Sequence, residues 1–157
     1  MHLSMKHLSK VIVATVMLVG VAVPAQAGTS KLVVARASGF IVSADFCSET
    51  EICQEATVSG FATPLGPLTG VLHERVDITT GRYTGTAVFT TNGGTIATTY
   101  TGQVSAPDQS GAVTFVESHQ IVGGTGRYSH ASGNLNVVGT ATGDGALNIL
   151  AFGTLNN

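Results

Sequence analysis

The amino-acid sequence predicts an all-β domain, a sandwich or a barrel, and three observations carry that expectation. Polar and apolar residues alternate over successive runs, and no stretch sustains the i, i+3, i+4, i+7 apolar spacing of a helix. β-Branched residues fill those runs, and Gly-bearing turns recur every eight to twelve residues or so. From residue 28 onward, 19 Gly and 20 Thr stand among 130 residues, a content suited to pleated strands and tight turns. Charged residues are only 10% of the chain, against a usual quarter or so. That disfavours a helical bundle, a coiled coil, a disordered acidic tail and a basic nucleic-acid binder.

About eight strands follow from the alternation, over residues 31–43, 56–63, 68–78, 83–91, 95–104, 111–121, 134–141 and 146–155. Between the fourth and fifth, Asn92-Gly93-Gly94 reads as a tight hairpin, and Gly143-Asp144-Gly145 plays the same part between the last two. Asn, Asp and Gly tolerate the positive φ such turns need. Residues 105–111 form a longer polar loop. Thr80-Gly81-Arg82-Tyr83 recurs as Thr125-Gly126-Arg127-Tyr128, each copy ahead of a strand, a Gly-rich turn and a second strand. A lone hairpin cannot bury its apolar side, so repeated hairpins suggest closure around a shared interior. Thr suits these strands because its branch fits the pleat while its hydroxyl keeps the outer face wet.

The first 27 residues read as an export signal. Lys6 and Lys10 make a positive start, residues 11–23 are an uncharged apolar run, and Pro24-Ala25-Gln26-Ala27 is a small-x-small cleavage signal. Thirteen apolar residues span about 20 Å as a helix, short of a hydrocarbon core of roughly 30 Å. The expectation is a cut after Ala27, a secreted or periplasmic barrel domain over 28–157, and no stable membrane insertion once cut. Lys31, Arg36, Arg75, Arg82 and Arg127 then face nine acids, a net charge of −4, so nucleic acid and anionic membrane are poor partners. Cys47 and Cys53 lie in the exported part, where an oxidising compartment favours a disulfide. Free thiols, or a redox or metal pair, are the alternatives, although the spacing is not Cys-x-x-Cys.

The anomaly is polar residues on apolar faces. One face of 111–121 reads Val113, Phe115, Glu117, His119, Ile121, and one face of 68–78 reads Leu68, Gly70, Leu72, Glu74, Val76, Ile78. Burying an isolated charge costs several kcal/mol, so three readings stand. The strand ends emerge into water; the acids pair with Arg36, Arg82 or Arg127 as a structural clamp; or Glu74, Glu117 and His119 line a ligand cavity and can act as a proton-transfer set. His130 sits beside a turn and reads as exposed. Other motifs fail. Gly123-Gly124-Thr125-Gly126 lacks the helix and the Gly-Lys-Ser/Thr ending of a phosphate loop, the His residues have no zinc spacing, and no Gly-x-Ser-x-Gly elbow occurs. No metal and no cofactor is expected.

Ile121-Val122-Gly123-Gly124-Thr125-Gly126-Arg127-Tyr128-Ser129-His130-Ala131-Ser132-Gly133 resembles a segment of the allene oxide cyclase and dirigent superfamily. There a Gly-Gly-Thr-Gly turn, a basic residue and an aromatic precede Ala-x-Gly. A looser likeness, from Gly60 to the end of the chain, is to small exported bacterial proteins that share this segment. The resemblance implies an eight-stranded antiparallel barrel of the allene oxide cyclase, dirigent or lipocalin-like kind, with the turn a structural element. Those cyclases fold an apolar substrate inside the barrel and dirigent proteins steer radical coupling. No catalytic residue carries over, and catalytic positions stay unassigned. The resulting expectation is an exported barrel that binds a small apolar ligand or an envelope partner. A cyclase-like or dirigent-like enzyme and a purely structural surface protein are the alternatives.

Overall fold

Side chains alternate between interior and exterior along most of the strands in residues 29–157, the part that the computed structural model describes. The predicted export segment lies outside the described residues. Eight strands follow in chain order: β1 (Ser30–Phe46), β2 (Glu51–Thr63), β3 (Gly66–Asp77), β4 (Arg82–Thr91), β5 (Gly94–Val104), β6 (Val113–Gly124), β7 (Ser132–Ala141) and β8 (Ala146–Asn156). Each pairs antiparallel with its successor, and β8 pairs back onto β1 from Ser30↔Asn156 to Phe40↔Ala146. The sheet is therefore a closed eight-stranded barrel without a free edge. One residue in two faces the interior. In β3, Leu68, Gly70 and Leu72 are buried while Thr69, Val71, His73 and Arg75 are exposed.

Two expectations shift. Ile78 is not on the inner face: it is 48% exposed, because β3 stops at Asp77. That carboxylate accepts the backbone N–H groups of Thr79 at 2.8 Å and Thr80 at 3.1 Å and folds the chain into a turn. Asp108 does the same for Ser110 and Ala112, and Asp144 for Ala146. Hydroxyl donors from Thr79, Ser110 and Thr142 are the main reason these three carboxyls titrate below the usual range. The two Thr-Gly-Arg-Tyr copies also diverge. Both need glycine for a left-handed backbone, Gly81 at φ 69° and Gly126 at φ 59°. The first leads directly into β4, whereas the second coils into a single 3₁₀ turn (Gly126–Tyr128). Tyr128, 2% exposed, joins Val33, Leu68, Ile121 and Leu155 in the apolar cluster at that end of the barrel.

Cys47 and Cys53 are bonded, with Cα atoms 5.6 Å apart, and tie the end of β1 to the start of β2. Replacing both by Ser should cost about 2 kcal/mol, the chain-entropy value for so short a loop. Urea titration of the oxidised protein and the double variant reads this as a lower midpoint.

Candidate functional site

β4 and β5 carry the same three residues, Tyr83-Thr84-Gly85 and Tyr100-Thr101-Gly102. Antiparallel register sets Tyr83 opposite Gly102 and Gly85 opposite Tyr100. Each ring lies across the glycine facing it: a methyl group added to Gly85 would come within 2.6 Å of the Tyr100 hydroxyl, and one on Gly102 would run into the Tyr83 ring. The two rings meet edge to face, their centres 6.3 Å apart.

Lying over a glycine lets each hydroxyl reach one strand further. Tyr100 reaches over β4 to donate to Glu74 Oε1 on β3 at 2.8 Å. Tyr83 reaches over β5 to donate to Glu117 Oε1 on β6 at 2.7 Å. The second oxygen of each acid is also engaged. Glu74 Oε2 accepts from the Gln54 amide, and Glu117 Oε2 lies 2.7 Å from His119 Nε2. His119 Nδ1 is 3.0 Å from Thr98 Oγ1, and its ring stacks on Tyr100 at 4.2 Å and 11°. With Nε2–H given to Glu117, Nδ1 is left to accept the Thr98 hydroxyl.

Glu117, His119 and Thr98 are 8%, 2% and 2% exposed, and Glu74 is half-buried. All three acidic and imidazole residues singled out from the sequence therefore face the interior rather than standing in water. They are not held by an arginine clamp either: Arg36, Arg82 and Arg127 are all exposed, and tyrosines, an amide and an imidazole take that place. Glu117 and His119 bond directly, as their i, i+2 spacing on one face of β6 allows. Glu74 joins them only through Tyr100, whose ring covers the imidazole. Sequence reasoning missed Gln54, Tyr83, Thr98 and Tyr100; the repeated Tyr-Thr-Gly is the signal that was available. His130 is exposed.

Two cavities flank this network. One, of about 70 Å³, has apolar walls that include Val33, Leu68, Phe89 and Ile121, with Glu117 and His119 among them. The other, of about 140 Å³, is walled by Ile41, Phe115 and Leu147 together with Gln54, Glu74, Tyr83 and Glu117. Leu72, Glu117 and Ile149 belong to both. Thr98 and Tyr100 line neither, so the carboxylate–imidazole–hydroxyl series ends on a hydroxyl that no ligand in these cavities touches. Thr98 orients the imidazole, and the groups that can act are Glu74, Tyr83, Glu117 and His119.

Burial raises the Glu74 pKa above its ordinary 4.5, aided by the Glu117 charge and opposed by the hydrogen bonds from Gln54 and Tyr100. Burial, with the neighbouring carboxylates, also raises both tyrosines, which stay neutral donors. Among the described residues no cluster of His, Cys, Asp or Glu has a metal-binding arrangement, and no buried side-chain nitrogen or oxygen lacks a hydrogen-bond partner. No family model, curated protein or solved structure matches this chain.

Glu117→Leu should destabilise the barrel by about 3–5 kcal/mol, because it strands the Tyr83 hydroxyl and the His119 imidazole away from water. Glu117→Gln, which keeps shape and an acceptor, should cost less; chemical denaturation separates the two. Glu74 supplies a pH signature. Its pKa is higher folded than unfolded, so the native state holds a proton that the unfolded chain has released. Its contribution to stability therefore falls as pH rises from about 4.5 through the raised value. Glu74→Gln should remove that decline, seen by comparing urea midpoints of the two proteins across the same pH range.

Proposed function

We propose that this protein works outside the cytoplasm as a barrel that takes a small, largely apolar molecule into its interior. Glu117 is the group on which the ligand's polar atoms dock. The observation that carries this reading is a buried carboxylate forming part of the wall of two hollow spaces that are otherwise mainly apolar. Apolar walls with a few fixed polar groups are the usual make-up of a small-molecule site. A barrel serving only as a scaffold could hold apolar residues at these positions instead, since replacing both partners of a buried hydrogen bond by well-packed apolar groups is often nearly neutral or stabilising. An envelope partner would instead meet the outer face, where Phe40, Phe61 and Phe152 are exposed, but nothing there gathers polar groups as the interior does.

A second reading, a cyclase-like or dirigent-like enzyme, is favoured by the Glu117–His119 pair itself. A carboxylate 2.7 Å from an imidazole, both facing the smaller cavity, can take a proton from a substrate and return it. The likeness of residues 121–133 to the allene oxide cyclase and dirigent superfamily supports that alternative, as it supports an interior site of either kind.

Native mass spectrometry of the protein recovered from its producing organism should show a co-purifying small molecule, extractable into organic solvent. A bare protein mass that also stays unchanged on exposure to a panel of small apolar compounds would overturn the binding reading. Conversion of any panel member, lost in His119→Gln with uptake retained, would decide for the enzyme.

A further inference from the structure

The charges of the barrel are sorted along its axis. At the end where β1, β3, β5 and β7 finish, Asp45, Glu49, Glu51, Asp77, Asp108 and Asp144 stand against Arg75 and Arg82. Arg75 is itself turned to Glu51 at 3.6 Å. The opposite end carries Lys31 and Arg127 and no acid. A rim of net negative charge around a low-dielectric interior concentrates cationic solutes at its mouth.

The larger cavity lies on the acidic side, and its own chemistry points the same way. Glu74 and Glu117 both line it, while every Lys and Arg of the described residues is exposed. His119, the one inward basic group, faces the other cavity. Each carboxylate oxygen takes one hydrogen bond of the two or so it can accept, so lone pairs remain for an incoming donor. Tyr83 and Phe115 also line the wall. At about 140 Å³ the space compares with the roughly 150 Å³ apolar cavity that holds benzene, room for about six or seven non-hydrogen atoms.

We propose that the larger cavity binds a small apolar amine in its ammonium form, with Glu74 and Glu117 as the groups that hold the cation. The inference rests on the interior-ligand reading above and specifies the chemistry of the ligand. Burial raises the Glu74 pKa, and an ammonium held between the two acids would oppose that rise.

The test is calorimetry of the full chain, as its host processes it, with three probes of matched length: hexylamine, hexan-1-ol and hexanoate. Hexylamine should bind at least about tenfold more tightly than the alcohol, the scale of a hydrogen bond to a charged group. Hexanoate should bind most weakly, since its carboxylate would meet Glu74 and Glu117 in the same wall. Glu74→Gln should bring the amine down to the affinity of the alcohol. Alcohol and amine binding equally well would overturn the amine while leaving an apolar ligand in place. Binding of none of the three would overturn the amine and count against an interior ligand altogether. An amine preference undiminished in Glu74→Gln would place the cation elsewhere and overturn the site.

Discussion

Two tyrosine rings lying on two glycines hold the middle of this barrel together. Because Tyr83 faces Gly102 and Tyr100 faces Gly85, the same short segment serves β4 and β5 in opposite directions. Each ring fills the gap its neighbour's missing side chain leaves and carries a hydroxyl across a whole strand to an acid. Four strands, β3 to β6, are thereby linked through side chains as well as through backbone ladders. Put a side chain on either glycine and the ring above it must lift, the hydroxyl loses its carboxylate, and a buried acid stands without its donor.

The polar groups inside make sense only as a set. Glu117 is tolerable in the interior because Tyr83 and His119 both meet it, His119 because Thr98 and Glu117 use its two nitrogens, and Glu74 because Tyr100 and Gln54 share it. A network satisfied at every atom is rigid and costly to alter piecemeal. It also presents fixed acceptors to empty space, which separates a site from a core. The apolar remainder of the walls, from Val33 and Ile121 on one side to Phe115 and Leu147 on the other, keeps those acceptors dry and therefore strong.

Much of this was legible in the sequence. Period-two alternation and Gly-bearing turns placed all eight strands, and the inward acids of β3 and β6 stood out against apolar neighbours. The ends of β1 and β2 were not legible. From Val42 to Thr50 the chain is exposed on both faces, and pairing there is carried by backbone ladder and disulfide rather than by apolar alternation. The tyrosines were hidden for a different reason. An inward Tyr reads as ordinary core until the register of its neighbour is known, and here the Thr91–Gly94 hairpin turn sets it. Only then does Tyr100 fall over Gly85 rather than over a side chain that would push it away. Ile78 continued the alternation faultlessly, yet Asp77 bends the chain one residue earlier, a local capture by hydrogen bonds that periodicity does not see.

Strand order around the ring is simply chain order, so seven of the eight ladders are hairpins sharing a connection, and the eighth, β8 with β1, has none. That seam joins Ser30 to Asn156 across nearly the whole described chain, and bringing such distant segments together costs more loop entropy than any hairpin does. It is therefore the ladder whose pairing draws least on local chain connectivity. An open seam bares two strand edges of the kind that pair with other chains.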